Sequence, residues 1–297
     1  MQERENLARL SPIEARFATM SRLVSPAERK ILTAVWTATL DTLLQYVTGP
    51  DPRLATVAIG EIKNRSKSAT TDFDNTRVNA TLAECLAPKT NVQVRNGAAL
   101  TLGERNDRRA IPVLRSLLTP TEKNKLSEGA VPLRAAFLLA RFQDSVSYPE
   151  IRKLSARLDD PTKRHFADLL GMMGDSKSVS ILRELLKNPY QGTRSHAALS
   201  LGRVKDRSSV PALIRALTDG YATVRRDAAW ALAAIGETKA LPALRKATTA
   251  GNSKSVPAHG FRGAQEMARE AVAALEKGKS LEIARDWRGD PLGTRRF

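Results

Sequence analysis

The chain has 297 residues, a formal net charge of +17, 5% aromatic residues and one cysteine. A single cysteine excludes an internal disulfide and fits a reducing compartment. The basic excess points to phosphates or an acidic protein surface as partners. The N-terminal MQERENLARL is charged and lacks an apolar signal core, and the longest apolar run, residues 228–235, is far too short to cross a membrane. A cytoplasmic protein with no membrane contact is the expectation.

In chain order, Ser11-Pro12-Ile13-Glu14 and Ser25-Pro26-Ala27-Glu28 are capping boxes with proline at the first helical position. They predict helices over 12–22 and 26–47, and residues 1–50 read as an N-terminal helical cap. Residues 51–89 read as an atypical first repeat: a helix from Asp51-Pro52 to about Lys63, a polar stretch over 64–74, and a helix over 75–86. That polar stretch fits a mobile insertion or a binding element. Residues 90–251 read as regular repeats, interrupted by a charged insertion over 119–129. Residues 252–297 begin with a polar linker, continue with a helix over 266–275 and end in a loose tail that Trp287 and Phe297 would dock.

The repeats show in residues 190–220 and 221–251, which align at an offset of 31 and match at Tyr190/Tyr221, Arg194/Arg225, Ala197/Ala228, Leu201/Leu232, Pro211/Pro242 and Leu213/Leu244. Val224, Ala228, Leu232 and Ile235 recur at helical spacing, then Leu241, Leu244 and Ala247 mark a second helix with Pro242 in its first turn. β-branched alternation is nearly absent, so almost no sheet is expected. The units resemble HEAT repeats of the phycobilisome-lyase type, with the pattern V-R-x-x-A-A-x-A-L-x-x-I-G-[DE]-x-x-A-[LIV]-P-x-L. The likeness is close over 224–244 and good over 94–114. It implies an all-α, right-handed α-solenoid of about six HEAT-like helical pairs, an α-α superhelix with an N-terminal helical cap. It implies no particular activity, because function on such a scaffold lies in its surface.

Three sets of charged residues recur with the repeat. Asp107, Asp144, Asp175, Asp206 and Glu237 each precede a second helix, where an acid accepts backbone N–H bonds and meets the positive helix end. They read as caps, not as catalytic carboxylates. Arg95, Lys163, Arg194 and Arg225 open the first helices and read as ties that hold the stack together. The third set follows the proline position of each second helix: Arg115, Arg152 with Lys153, Arg183, Arg215, and Arg245 with Lys246. The resemblance implies that second helices line a concave side, so these bases would draw a basic stripe along a groove. Arg108 and Arg207 extend positive charge along one edge. Residues 151–250 hold 18 Lys and Arg against 9 Asp and Glu, and the stripe fits ligand binding and plain solvation equally well. Trp230 fits an exposed contact or a residue filling a gap against the next unit.

Signals for chemistry are weak. The histidines are His165, His196 and His259, with no His-Glu pair of the kind on which deoxyhypusine hydroxylase, an iron enzyme of HEAT repeats, relies. No P-loop, G-x-S-x-G or Cys/His zinc spacing occurs. Cys85 reads as a small buried hydrophobe. No cofactor, metal or catalytic residue is expected. The reading that follows is a scaffold or adaptor holding an acidic partner, most simply a protein, in a basic concave groove. The alternative is a nucleic-acid-binding protein using the same groove. A phycobilin-lyase-like subunit or a HEAT-like DNA glycosylase is the enzymatic alternative.

Overall fold

A computed structural model of the chain describes residues 25–66, 74–119, 130–249 and 263–280. Among them every regular element is helical and no strand occurs. The first predicted helix, the insertion tip, the linker and the docking of Trp287 and Phe297 lie outside the described residues. The chain divides into two compact units, Met1–Leu126 and Ser127–Phe297, with the division inside the charged insertion.

The first unit opens with α1 (Pro26–Thr37) and α2 (Leu40–Thr48). The predicted capping box is present: Ser25 N–H donates to Glu28 at 2.9 Å, and the Glu28 amide donates to Ser25 Oγ at 3.3 Å. One helix was predicted over 26–47, and two are found. Ala38 is extended and Thr39 caps a fresh helix, its hydroxyl accepting from Thr42 N–H. The carbonyls released by the break are taken by Arg65, which donates to Ala38 O at 2.8 Å and Trp36 O at 3.1 Å. Periodicity continues through the break, so only the distant arginine reveals it. α3 (Pro52–Arg65) is capped by Asp51 and α4 (Asn75–Glu84) by Asp74. α5 (Val92–Glu104) and α6 (Ile111–Ser116) form the first regular pair.

The second unit contains the pairs α7 (Ala130–Arg141) with α8 (Tyr148–Lys153), α9 (Lys163–Met173) with α10 (Ser176–Leu185), α11 (Gln191–Val204) with α12 (Val210–Ala216), and α13 (Ala222–Ile235) with α14 (Leu241–Ala247), followed by α15 (Ala264–Glu276). This is a helical solenoid, as the repeat period requires. The core is a row of small and branched apolar residues, with Ala136, Ala167, Ala198 and Ala229 each essentially inaccessible. First helices pack directly on one another, α9 on α11, α11 on α13 and α13 on α15. The short second helices pack chiefly against first helices.

Two features of this row escape the periodicity argument. A residue one or two places past each of these first helices takes a left-handed conformation, at Asn106, Gln143, Gly174, Lys205 and Gly236, with φ between 55° and 77°. Only two of the five are glycine, and each of the others carries a steric cost for its Cβ. The first helices also approach more closely than side chains permit. A Cβ on Gly202 would lie 2.7 Å from both Ala231 Cα and Trp230 Cζ3, and one on Gly171 would lie 2.8 Å from Ser200. Trp230 therefore covers the notch left by Gly202 in the preceding unit, where the sequence reading pointed to the following one.

Lys205→Gly is expected to stabilise the protein by about 0.5–1 kcal/mol and Gly236→Ala to destabilise it by about 1 kcal/mol, both read by chemical denaturation. Gly202→Ala is expected to cost about 1–3 kcal/mol through overpacking. Gly220→Ala, whose added Cβ meets nothing within 4 Å, is its neutral control.

Candidate functional site

The bases of the second helices fall into two registers. Arg152, Arg183 and Arg245 stand at multiples of the 31-residue period, with Ile214 in the place of a fourth base, and Arg115 holds the same place in the first unit. Lys153, Arg215 and Lys246 stand one residue on, in the register that Glu184 shares. The distinction matters because the first register turns toward the next repeat. Arg152 Nη1 reaches both oxygens of Asp175 at 3.0 and 3.1 Å, with its side chain only 16% exposed. Arg183 Nη1 donates to Ser208 Oγ at 3.0 Å, beside Asp206, and Arg245 pairs with Glu276 at 2.8 Å. In the second register Lys153 pairs with Glu150 on its own helix, while Arg215 and Lys246 are exposed and pair with no described acid. Arg207 is likewise exposed and pairs with no described acid. In the first unit Arg108 and Arg115 are exposed.

Three of the five recurring acids cap through their side chains, and Asp144 and Asp206 make no side-chain cap bond. Asp107 accepts from Arg109 N–H at 3.0 Å, Asp175 from Lys177 and Ser178 N–H at 3.0 and 3.1 Å, and Glu237 from Lys239 N–H at 3.4 Å. Asp206 and Asp144 act through hydroxyls: Ser208 and Ser209 donate to Asp206, and Ser147 donates to Asp144. For Asp175 burial pushes the carboxyl up, but the bonds from Ser178 and the Arg152 charge outweigh it and hold the group below the usual carboxylate range. Asp107 is held low by its bonds from Arg109.

Of the bases that open the first helices, only Arg194 reaches a distant acid, and Arg225, Arg95 and Lys163 bond to groups within seven residues of themselves. Arg194 makes a two-pronged pair with Asp219 at 2.7 and 3.0 Å and donates to Asn188 O at 2.7 Å. Arg225 donates to Asp219 O at 2.7 Å, Arg95 to Pro88 O at 3.2 Å, and Lys163 pairs with Asp160.

A further polar cluster, which the sequence reading did not assemble, lies on the first helices of the second unit. Arg134, His165, His196 and Asp227 hold equivalent places at the 31-residue period, as do Phe137, Asp168, Leu199 and Trp230. His196 Nδ1 meets Asp168 at 2.8 Å, and Arg203 approaches the same carboxylate at 3.4 Å. Arg226 pairs with Asp227 at 2.7 Å, and Ser195 donates to that carboxylate from the preceding helix. Asp227 is buried, and burial pushes its carboxyl up despite Arg226 and Ser195. The rings of His165 and His196 stand edge to face, 6.5 Å between centroids. The signal was present in the period, but polar residues at repeat-equivalent places differ in type, so aligning identities passes over them.

Among the described residues no group of three or more His, Cys, Asp or Glu could hold a metal ion. Cys85 is buried, its thiol close to Thr81 O at 3.4 Å, and burial pushes its pKa up. No helix of the described residues is long and apolar enough to cross a membrane.

Known proteins agree with this architecture. The family model for HEAT repeats matches residues 185–258, and the model for the PBS lyase HEAT-like repeat matches residues 94–119. No curated protein matches the chain in sequence. Among solved structures an engineered protein aligns at 18% identity and a TM-score of 0.50, covering 80% of this chain and 70% of its own. The complex of CpcE and CpcF of phycocyanin lyase from Nostoc sp. PCC7120 aligns at 18% identity and 0.42, covering 80% and 95%. At these identities the likeness concerns the fold.

Asp175 generates a pH prediction. Its folded pKa lies below its unfolded value of about 3.9, so the stability it supplies is fully present above that value. It is lost as pH falls through the lower, folded pKa. Asp175→Asn is expected to cost about 1–2 kcal/mol at pH 7, and the gap from the parent protein should close in denaturation curves taken at progressively lower pH.

Proposed function

Taking this chain as the HEAT-repeat protein of the PBS lyase type that it is, we propose that it acts as a scaffold binding an acidic protein partner non-covalently. The partner lies along a basic groove face formed by the second helices. The observation that carries the reading is the contrast between the two registers. Arg152 and Arg245 are committed to acids of neighbouring repeats. Arg207, Arg215 and Lys246 are exposed and pair with no described acid, and so keep their charge available to a partner. Lys153 and Arg183 lie on the preceding second helices of the same unit, and Arg108 and Arg115 are exposed in the first unit. Stacked helices present a preformed surface, so binding costs little ordering of the backbone.

Fluorescence titration with labelled polyglutamate tests the proposal. Charge reversal of the free set, Arg207→Glu with Arg215→Glu and Lys246→Glu, should weaken binding roughly tenfold or more while the helical circular-dichroism signal persists. Unchanged affinity removes this face from the account. Tighter binding to single-stranded DNA or RNA of equal length, with log K falling against log salt at a slope of roughly −2 for three contacts, replaces the protein partner with a nucleic acid.

A further inference from the structure

We infer that the second-helix face of the second unit reads its partner at two points, Arg215 and Lys246, and so takes an acidic protein segment that presents two carboxylates one repeat apart, about 10 Å. The inference rests on the proposed acidic partner and specifies what that same face selects.

Arg215 on α12 and Lys246 on α14 stand one 31-residue period apart. The operation that carries one helical pair onto the next therefore places them alike. Both are exposed, and neither pairs with a described acid. Each follows an exposed proline, Pro211 or Pro242, by four residues, so proline and base share one side of the helix a turn apart. Proline offers an anion no N–H, so recognition on that side falls to the charged side chain.

The same register carries no net charge in the two preceding pairs. Lys153 meets Glu150 at 2.6 Å, and Glu184 meets Lys187 at 3.1 Å. One residue earlier in the repeat, Arg152 and Arg245 are held by Asp175 and Glu276, Arg183 donates to Ser208 Oγ, and Ile214 carries no charge. Arg207 adds positive charge from the turn before α12, but Thr238 holds its place one period on. Among the described residues of these second helices, the uncommitted cations at repeat-equivalent places are thus one pair on successive repeats.

This pattern selects the occupant. A nucleic-acid backbone carries a phosphate on every nucleotide and gains with each further cation along its path. Here the run of uncommitted cations ends after two, and Glu184 and Glu150 lie beyond α12. A short acidic protein segment with two correctly spaced carboxylates satisfies both bases. Once the first carboxylate is bound, the second contact is intramolecular, and it is lost if the spacing is wrong.

Polyproline peptides carrying glutamates at set intervals serve as rulers for the full chain, read by fluorescence titration. A polyproline helix has three residues per turn, so glutamates three residues apart stand on one side about 9 Å from each other. Glutamates one residue apart point to different sides, and glutamates six residues apart double the separation. The three-residue ruler should bind about threefold more tightly than either of these, and a third glutamate three residues further on should add less than the second. Lys246→Gln should bring the three-residue ruler to the affinity of a ruler with one glutamate. Lys239→Gln, at an exposed base outside the register, should leave the spacing preference intact. Equal affinity for all three rulers while polyglutamate still binds overturns the paired site and leaves the scaffold reading standing. A spacing preference that survives Lys246→Gln overturns the assignment to these two bases. Failure of polyglutamate itself to bind overturns both readings.

Discussion

The fold depends on how closely successive first helices approach. At Gly202 the neighbouring backbone occupies the space a side chain would need, with Ala231 Cα 2.7 Å from the place of a Cβ. Gly171 makes the same concession to Ser200. Contact this close removes water from two helical surfaces without large side chains, which is how a row rich in alanine forms a core at all. It also explains why the period is so strict: an added residue would turn the small positions away from one another.

Cohesion is then divided among polar devices that the close row leaves room for. Acids cap the second helices, Arg152 reaches the cap of the following repeat, and Arg194 closes its own unit onto Asp219. The +17 charge of the chain is thus not uniformly available. Part of it is consumed between repeats, and part, including Arg207, Arg215 and Lys246, faces solvent. Net charge alone overstates the surface offered to a partner, and the pairing pattern corrects it.

The polar cluster on the first helices follows a different logic. Apolar positions in a repeat array converge on a few residue types because each makes the same contact in every unit. His165, His196 and Asp227 vary among equivalent places, although each meets a neighbouring helix. These places differ in type because each meets a different neighbour, His196 an aspartate of the preceding first helix and Asp227 a serine of the preceding first helix with Arg226 of its own.

The period, the proline positions and the capping acids were legible in the sequence because each acts within a few residues of itself. They determined the helical pairs, their boundaries to within a turn and the solenoid class. The break at Ala38 and Thr39 was not legible, because the arginine that donates to the freed carbonyls stands at position 65. The left-handed residue after each first helix was hidden by Gln143 and Lys205, which lack the glycine signature. Nor could the sequence divide its bases into committed and available ones. Arg152 and Arg215 have the same chemistry and nearly the same place in the repeat, and one residue of helical rotation, about 100°, carries one toward an aspartate of the next repeat and the other into solvent. Local spacing therefore determined the elements, and the tertiary structure decided the surface, because pairing across repeats depends on rotation and distance between helices that the period does not contain.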